Sequence, residues 1–123
     1  MSSVQIADQT FLAAPASDVA ELVGDTRRQR SWFPGLTLTV QEDRGEKGIR
    51  WTVAGELTGT MEVWLEPMLD GVVLHYFLHA EPVGVSTPDA HRRRVAGKTM
   101  SFEIKALLER GRAAGEPPVR AVR

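Results

Sequence analysis

Residues 60–81 read TMEVWLEPMLDGVVLHYFLHAE, and this stretch determines the kind of sheet that the chain can form. Apolar and polar side chains alternate on both sides of Asp70-Gly71, a dipeptide typical of tight turns between antiparallel strands. The pattern predicts a β-hairpin with strands at 58–66 and 72–81. A two-residue turn at Asp70-Gly71 also fixes which side chains face each other across the hairpin.

In that register, one face carries apolar side chains and the other carries an aromatic pair. The expected pairs on the second face are Trp64 with Phe77, Glu66 with His75 and Glu62 with His79. Cross-strand aromatic pairs stabilise ordinary sheets, but aromatic side chains are also enriched at protein interfaces. Trp64 and Phe77, with Val73 nearby, are therefore candidate interface residues. His75 and His79 lie about 13 Å apart along one strand, too far to share a metal ion, and we expect no metal site.

Outward from the hairpin, the sequence predicts one strand, two helices, two more strands and a long C-terminal helix. Pro15 favours a helix start, and Gly24 favours a helix end. After Trp32-Phe33-Pro34-Gly35 the apolar period becomes two. The expected elements are strand 4–12, a helix after Pro15, a short helix 27–31, strands 36–43 and 49–55, the hairpin, and helix 89–112. The fold class is α+β with one antiparallel sheet, in a single domain at 1–113 followed by a tail at 114–123.

The composition excludes several classes of protein. The chain has 123 residues and no cysteine, which excludes disulfides, thiolate metal sites and a cysteine nucleophile. The N-terminus has no basic segment followed by an apolar run, and no stretch is long and apolar enough to span a bilayer. A cytoplasmic protein is expected. No glycine loop for a nucleotide is present, and no cofactor is predicted.

The net charge of −1 conceals an uneven distribution along the chain. Residues 1–90 contain 6 basic and 13 acidic side chains, whereas residues 91–123 contain 9 basic and 3 acidic ones. A basic helix docked on an acidic body explains this pattern, and so does an anionic partner such as a phosphate or a membrane surface. Arg92, Arg93 and Arg94 are the candidate anion-binding residues. Nucleic acid is not expected, because the basic segments lack interleaved aromatic residues.

The C-terminal helix is broadly apolar. At 100° per residue, Met100, Ile104, Leu107 and Leu108 share one side, and Val95, Phe102 and Ala106 form a second patch. The side expected to face solvent carries Arg94, Lys98, Ser101, Lys105 and Glu109. Glu103 lies between the apolar patches, where it either pairs with an arginine at the rim or faces a ligand. Asp8 on the first strand has the same two interpretations.

The element order, together with Leu12-Ala13-Ala14-Pro15, Trp32-Phe33-Pro34-Gly35 and Trp64-Leu65-Glu66-Pro67, resembles the START-like superfamily. This superfamily, also called SRPBCC, includes Bet v 1 relatives and the polyketide cyclase/dehydrase and lipid-transport domains. The resemblance implies a helix-grip fold, in which a curved antiparallel sheet wraps the C-terminal helix around an apolar cavity. Such domains usually have six or seven strands, and this chain has about five. The shortened sheet leaves an edge for a second subunit or another protein.

The resemblance implies that the cavity holds a hydrophobic ligand, with catalysis in only some members of the superfamily. The leading hypothesis is that the chain binds or transports a hydrophobic small molecule or lipid without catalysis. The expected cavity residues are Trp32, Phe33, Trp51, Met61, Val63, Leu65, Tyr76, Leu78, Met100, Ile104 and Leu107. One alternative is a cyclase/dehydratase-type enzyme that uses Asp8, Tyr76 or Glu103. Another is a protein-interaction module that has lost the pocket. A homo-oligomer or a protein partner is expected, with peripheral membrane contact as an option.

Overall fold

The computed structural model describes residues 3–84 and 90–110. The elements are β1 (Val4–Leu12), α1 (Ala16–Val23), α2 (Thr26–Trp32), β2 (Leu36–Asp43), a 3-10 turn (Gly45–Lys47), β3 (Gly48–Gly55), β4 (Leu57–Met68), β5 (Gly71–Pro82) and α3 (Ala90–Glu109). The strands form one antiparallel sheet in the order β1-β5-β4-β3-β2. The predicted α+β class, the two short helices after the first strand, the five strands and the long last helix are confirmed.

The core lies between one face of the sheet and the helices. Strand side chains alternate between buried and exposed positions, as the period of two predicts. The inner face contributes the large buried side chains of β3, β4 and β5, and α3 adds Met100 and Ile104. Asp25 caps α2 by accepting from the backbone N–H of Arg27. The two short helices and α3 cover the face of the sheet that the sequence pattern predicts to be apolar.

The predicted register of the β4–β5 hairpin is wrong by two residues. Met68 pairs with Gly71, so that Leu69 and Asp70 form the turn, and Trp64 lies opposite His75 instead of Phe77. A shift of two residues moves every pair along the strands but keeps each side chain on its predicted face. The inner and outer faces of the hairpin are therefore as expected, but the directly opposed residues are not. The predicted contact of His75 with Glu66 is kept as a diagonal pair.

The predicted orientation of α3 also needs correction. Ser101 and Glu109 are buried although the helical pattern predicts them on the solvated side, whereas Val95, Phe102 and Leu107 are among the exposed apolar residues. The buried face of α3 follows Arg93, Gly97, Met100, Ser101 and Ile104. Gly97 packs closely on Tyr76 and Arg93 is buried in an ion pair with Glu56, so hydrophobicity alone does not identify this side of the helix.

Candidate functional site

The site centres on Tyr76, whose ring lies in the core beneath α3. Tyr76 is 1% exposed, and the ring of Phe33 stacks against it with 6.0 Å between centroids. The Tyr76 hydroxyl has no hydrogen-bond partner among the described residues. Burial raises the pKa of the Tyr76 phenol well above its usual value, and the positive charge of Arg93 opposes part of that rise. Tyr76 is therefore a neutral hydrogen-bond donor inside an apolar environment.

Trp51 supplies a second unpaired donor on the same face of the sheet. Its indole Nε1–H is buried and has no acceptor among residues 3–84 and 90–110. Trp51 lies on β3 opposite Met61, and Tyr76 lies on β5 opposite Val63. Because buried polar groups normally find a partner, two unpaired donors on one apolar face are an exception that needs an explanation.

Gly97 brings α3 close to Tyr76, and the sequence pattern did not single it out. A β-carbon at position 97 would lie 2.4 Å from Tyr76 Cε2. A glycine in the middle of a long helix is unfavourable to the helix, so it indicates that something packs closely against the backbone at that point. That signal was present in the sequence but did not identify the partner.

A groove of ≈ 260 Å³ lies beside this site, between the α2–β2 connection and α3. The residues that line it are Ser31, Trp32, Pro34, Arg92, Arg93, Val95, Ala96, Thr99 and Glu103. Glu103 accepts from Trp32 Nε1 at 2.9 Å and from Arg28 Nη1 at 3.1 Å. Of the two interpretations of Glu103, the structure thus shows the rim carboxylate paired with an arginine.

The three arginines at the start of α3 have different environments. Arg93 is buried and donates to Glu56 Oε2 at 2.7 Å, and Arg92 Nη2 lies 3.6 Å from the same oxygen. Glu56 therefore holds two of the candidate anion-binding residues in ion pairs. Arg94 is exposed. The arginines do not form one open anion site, although two of them line the groove.

Asp8, the other carboxylate considered for catalysis, is bound by α3. Lys98 Nζ lies 3.0 Å from Asp8 Oδ2 and also donates to Thr10 Oγ1. Asp8 faces Tyr76 across the β1–β5 pair, but its charge is already balanced by an ammonium group. Asp8 and Glu103 thus both have cationic partners, whereas Tyr76 has no hydrogen-bond partner in the described structure.

The predicted cavity residues separate into two groups. All but Leu107 lie in one cluster between the sheet and α3 and are 0–4% exposed. Leu107 is 39% exposed and belongs to the outer side of the helix. Leu65 additionally borders a pocket of ≈ 310 Å³ between α1 and the 3-10 turn, whose lining includes Val23 and Ile49. The inner-face set is therefore brought together by the fold, and Leu107 is not part of it.

The outer face of the sheet carries the predicted aromatic interface residues. Trp64 stacks on His75 with 4.4 Å between ring centroids, and the His75 ring lies parallel to Phe77 at 6.2 Å. His75 Nε2 lies 3.0 Å from Glu66 Oε1. Trp64 is 39% exposed, and Phe77 and Val73 are half-buried. The aromatic residues are close together, with histidine between them.

Two further observations concern metals and membranes. Within residues 3–84 and 90–110, no three side chains of the metal-binding types are grouped in a way that could hold an ion. No helix in those same ranges is long and apolar enough to cross a bilayer.

Comparisons with solved structures identify the fold. The solution structure of the Aha1 dimer from Colwellia psychrerythraea has a TM-score of 0.69 and 15% identity, over 89% of this chain and 99% of that one. A START superfamily protein from Mycobacterium smegmatis has a TM-score of 0.59 and 16% identity, over 84% of this chain and 93% of that one.

A third similar structure is the di-domain ARO/CYC protein StfQ from the steffimycin biosynthetic pathway. Its TM-score is 0.60 at 15% identity, over 84% of this chain and 50% of that one. No family model and no curated protein matches the sequence. The agreement in three dimensions confirms the helix-grip fold that the resemblance implied.

Proposed function

We propose that this START-like domain binds a hydrophobic small molecule between the sheet and α3, and that the molecule carries an oxygen that accepts a hydrogen bond from Tyr76. The observation that supports the proposal most directly is the buried Tyr76 hydroxyl without a partner in the described structure. Leaving a buried donor unpaired costs about 1–3 kcal/mol, which a ligand carbonyl or carboxyl oxygen would recover.

The surroundings of the Tyr76 hydroxyl define the kind of ligand. The inner face around it is apolar, and the unpaired Trp51 N–H offers a second polar contact on the same face. Pockets of this type combine an apolar lining with a few placed polar groups, which suits an aromatic or acyl molecule with one or two oxygens. A lipid or a polyketide has this chemistry.

Entry of the ligand requires α3 to move, because the inner-face side chains pack tightly in the ligand-free protein. Trp32, Arg93 and Ala96 line the groove. Trp32 precedes Phe33 in the chain and Ala96 precedes Gly97, and both Phe33 and Gly97 lie against Tyr76. We place the entrance at this groove, whose polar rim is formed by the Arg93–Glu56 and Trp32–Glu103 contacts. Local opening of a few contacts between a helix and the body of a domain is common in binding proteins.

Binding without catalysis is favoured over the cyclase/dehydratase alternative. The carboxylates of Asp8 and Glu103 are held by Lys98 and Arg28, so neither is placed as a free acid or base. Because its pKa is raised, Tyr76 stays protonated and can donate a hydrogen bond, but it is a poor proton carrier near neutrality. These environments support a ligand-orienting role for the phenol.

The test uses two probes that differ at one position, 2-acetylnaphthalene and 2-isopropenylnaphthalene. The second replaces the carbonyl oxygen of the first by a CH2 group and cannot accept a hydrogen bond of comparable strength. Titration calorimetry of the wild-type protein is expected to show saturable binding of both, with the ketone about fivefold tighter, because one neutral hydrogen bond contributes about 1 kcal/mol. In Tyr76→Phe the preference for the ketone disappears.

A matched control is Trp64→Phe, which alters an aromatic side chain on the opposite face of the sheet. It leaves both affinities unchanged. The proposal fails if folded wild-type protein binds neither probe, or if Tyr76→Phe keeps the full preference for the ketone.

A further inference from the structure

The two edge strands of the sheet, β1 and β2, differ in whether side chains from the rest of the chain bond to their outward backbone groups. On the β1 edge, α3 side chains bond to the outward backbone groups: Lys98 Nζ donates to Gln9 O at 3.2 Å and Lys105 Nζ to Phe11 O at 3.0 Å. Glu109 Oε2 accepts from the backbone N–H of Ala13 at 2.8 Å. The β1 edge is thereby closed by the helix, which is one way to prevent a strand edge from pairing with another chain.

The β2 edge has no such cover in the described structure. β2 is the last strand of the sheet order and pairs only with β3 within residues 3–84 and 90–110. Glu56 N–H donates to Gly35 O at 3.0 Å, so the alternation of an antiparallel ladder turns the polar backbone groups of Leu38 and Val40 away from β3. Residues 36–40 contain no proline and no charged side chain, the usual features that blunt an edge.

We propose that the β2 edge is an interface for a second copy of this chain, which pairs antiparallel to it and continues the sheet across a two-fold axis at Leu38. In this register Leu36 of each copy lies opposite Val40 of the other, on the inner face. Thr37 of each copy lies opposite Thr39 of the other, on the outer face. Antiparallel strands related by a two-fold axis are self-complementary in this way.

The side chains of β2 fit this partner. Val40 is 55% exposed in the single chain, and the dimer covers it with an apolar neighbour. Threonine pairs and apolar pairs directly across a ladder each stabilise it by about 0.2–1 kcal/mol. A two-residue shift of the register would move these pairs along the strand, whereas a one-residue shift would bring Thr37 or Thr39 onto the inner face.

Charge complementarity also favours a second copy. The acidic residues Glu42 and Asp43 lie at one end of β2, and Arg30 of α2 borders the other end beside Thr37 and Leu38. Arg30 has no ion pair within the described ranges, and Glu42 pairs with Arg44 of its own chain. The antiparallel arrangement brings each acidic end toward the other copy's Arg30 and keeps the two acidic ends apart. The register shift at Val40/Glu42 marks where the pairing stops.

A single strand edge buries less area than a standard interface, so the dimer is expected to be weak and to depend on concentration. Sedimentation velocity between about 5 and 500 µM should show a reversible shift from monomer to dimer, the range suited to small interfaces. Val40→Lys places a charge opposite Leu36 of the second copy and should weaken association at least tenfold.

The matched control is Met68→Lys, which introduces the same charge at another exposed apolar side chain, in the β4–β5 hairpin. Met68→Lys is expected to leave the association constant unchanged. Circular dichroism is used to check that both variants are folded. Trp64→Ala separates this interface from the outer aromatic face: it leaves association unchanged if the β2 edge is the contact and weakens it if the aromatic face is.

The chain has no cysteine, so the register can be tested directly with single-cysteine variants. In the proposed dimer the two copies of Thr37 have Cα atoms about 8 Å apart, from the spacing of strands and of residues along them. Thr37→Cys is therefore expected to give a cross-linked dimer with a short bismaleimide, and Met68→Cys is not.

The proposal is overturned by a monomer at every concentration, by association that Val40→Lys does not weaken, or by equal cross-linking of Thr37→Cys and Met68→Cys. It is independent of the proposed ligand, because none of these measurements requires one. Loss of probe binding with the dimer intact would contradict only the proposed function.

Discussion

Gly97 lies directly over the ring of Tyr76. A β-carbon built on Gly97 would be 2.4 Å from Tyr76 Cε2 and 2.6 Å from Cδ2, both closer than any carbon contact in a relaxed core. Phe33 stacks against the same ring, and the interplanar angle is 10°. The glycine therefore sets how near α3 can lie to the centre of the sheet, and the ring is held between Gly97 and Phe33.

Gly97→Ala is expected to destabilise the protein. Alanine improves helix propensity by about 1 kcal/mol. The overlap with a fully buried ring forces α3 or Tyr76 to shift, which costs about 1–3 kcal/mol beyond that gain. Urea denaturation should show a lower midpoint with little change in slope. A double-mutant cycle with Tyr76→Leu isolates the contact: in that background the alanine should be neutral or stabilising, and an equal loss in both backgrounds would contradict the steric explanation.

Removal of the Tyr76 hydroxyl is expected to stabilise the ligand-free protein. The hydroxyl is buried without a hydrogen-bond partner in the described structure, so Tyr76→Phe relieves a desolvation penalty of about 1 kcal/mol. Thermal unfolding should show a higher Tm for the variant. Lower stability would mean that the hydroxyl has an internal partner, and would remove the main support for a ligand contact there.

The phenol should also make stability depend on alkaline pH. Its folded-state pKa is raised by burial above the unfolded value of about 10, so the folded state retains a proton that the unfolded chain releases. The stabilising effect is complete below pH 10 and is lost as the pH rises above it, by about 1.4 kcal/mol per pH unit.

Because Tyr76 is the single tyrosine, absorbance of the phenolate reports on this residue alone. The absorbance is expected to rise together with unfolding, not before it, and Tyr76→Phe should lose this component of the alkaline destabilisation. Phenolate that forms at pH 10 in folded protein would contradict the buried position.

The contact between Glu109 and the connection from β1 to α1 gives a further prediction. Glu109 Oε2 accepts from Ala13 N–H at 2.8 Å and from Lys105 Nζ at 2.7 Å, and the carboxylate is buried. Glu109→Ala removes the acceptor of a buried backbone donor and should lower the free energy of unfolding by about 1–3 kcal/mol. Glu46→Ala, at an exposed carboxylate of the 3-10 turn, is the control with a change below about 0.5 kcal/mol. Hydrogen exchange at Ala13 should accelerate only in the first variant.

The sequence predicted the order and type of the elements because alternation, proline and glycine act locally. It assigned the inner face of the sheet correctly, since the period of two survives a shift of two residues. It did not predict the orientation of α3, because Arg93 and Glu109 are buried through partners distant in the chain. Helix periodicity records hydrophobicity and does not record which polar groups will be paired.

The same limit applies to the candidate site. Tyr76 was correctly expected on the inner face, whereas Glu103 and Asp8 could not be assigned without knowing that Arg28 and Lys98 approach them. For Gly97 the sequence shows only a glycine within a predicted helix and does not indicate the contact with Tyr76. Contacts between residues that are 70 to 90 positions apart depend on the tertiary fold, and local patterns do not encode them.

The turn of the β4–β5 hairpin provides the last prediction. Leu69 has φ of 53° and is 83% exposed, so a bulky side chain occupies the left-handed region without burying apolar surface. Such a conformation costs an L-residue about 1–2 kcal/mol, and asparagine tolerates it much better. Leu69→Asn should therefore raise the free energy of unfolding by about 0.5–1 kcal/mol. The control Met68→Asn precedes the turn and should give no gain. If the turn instead comprised Asp70 and Gly71, as the sequence pattern predicted, Leu69→Asn would remove a strand side chain and lower the stability, so the sign of the change distinguishes the two registers.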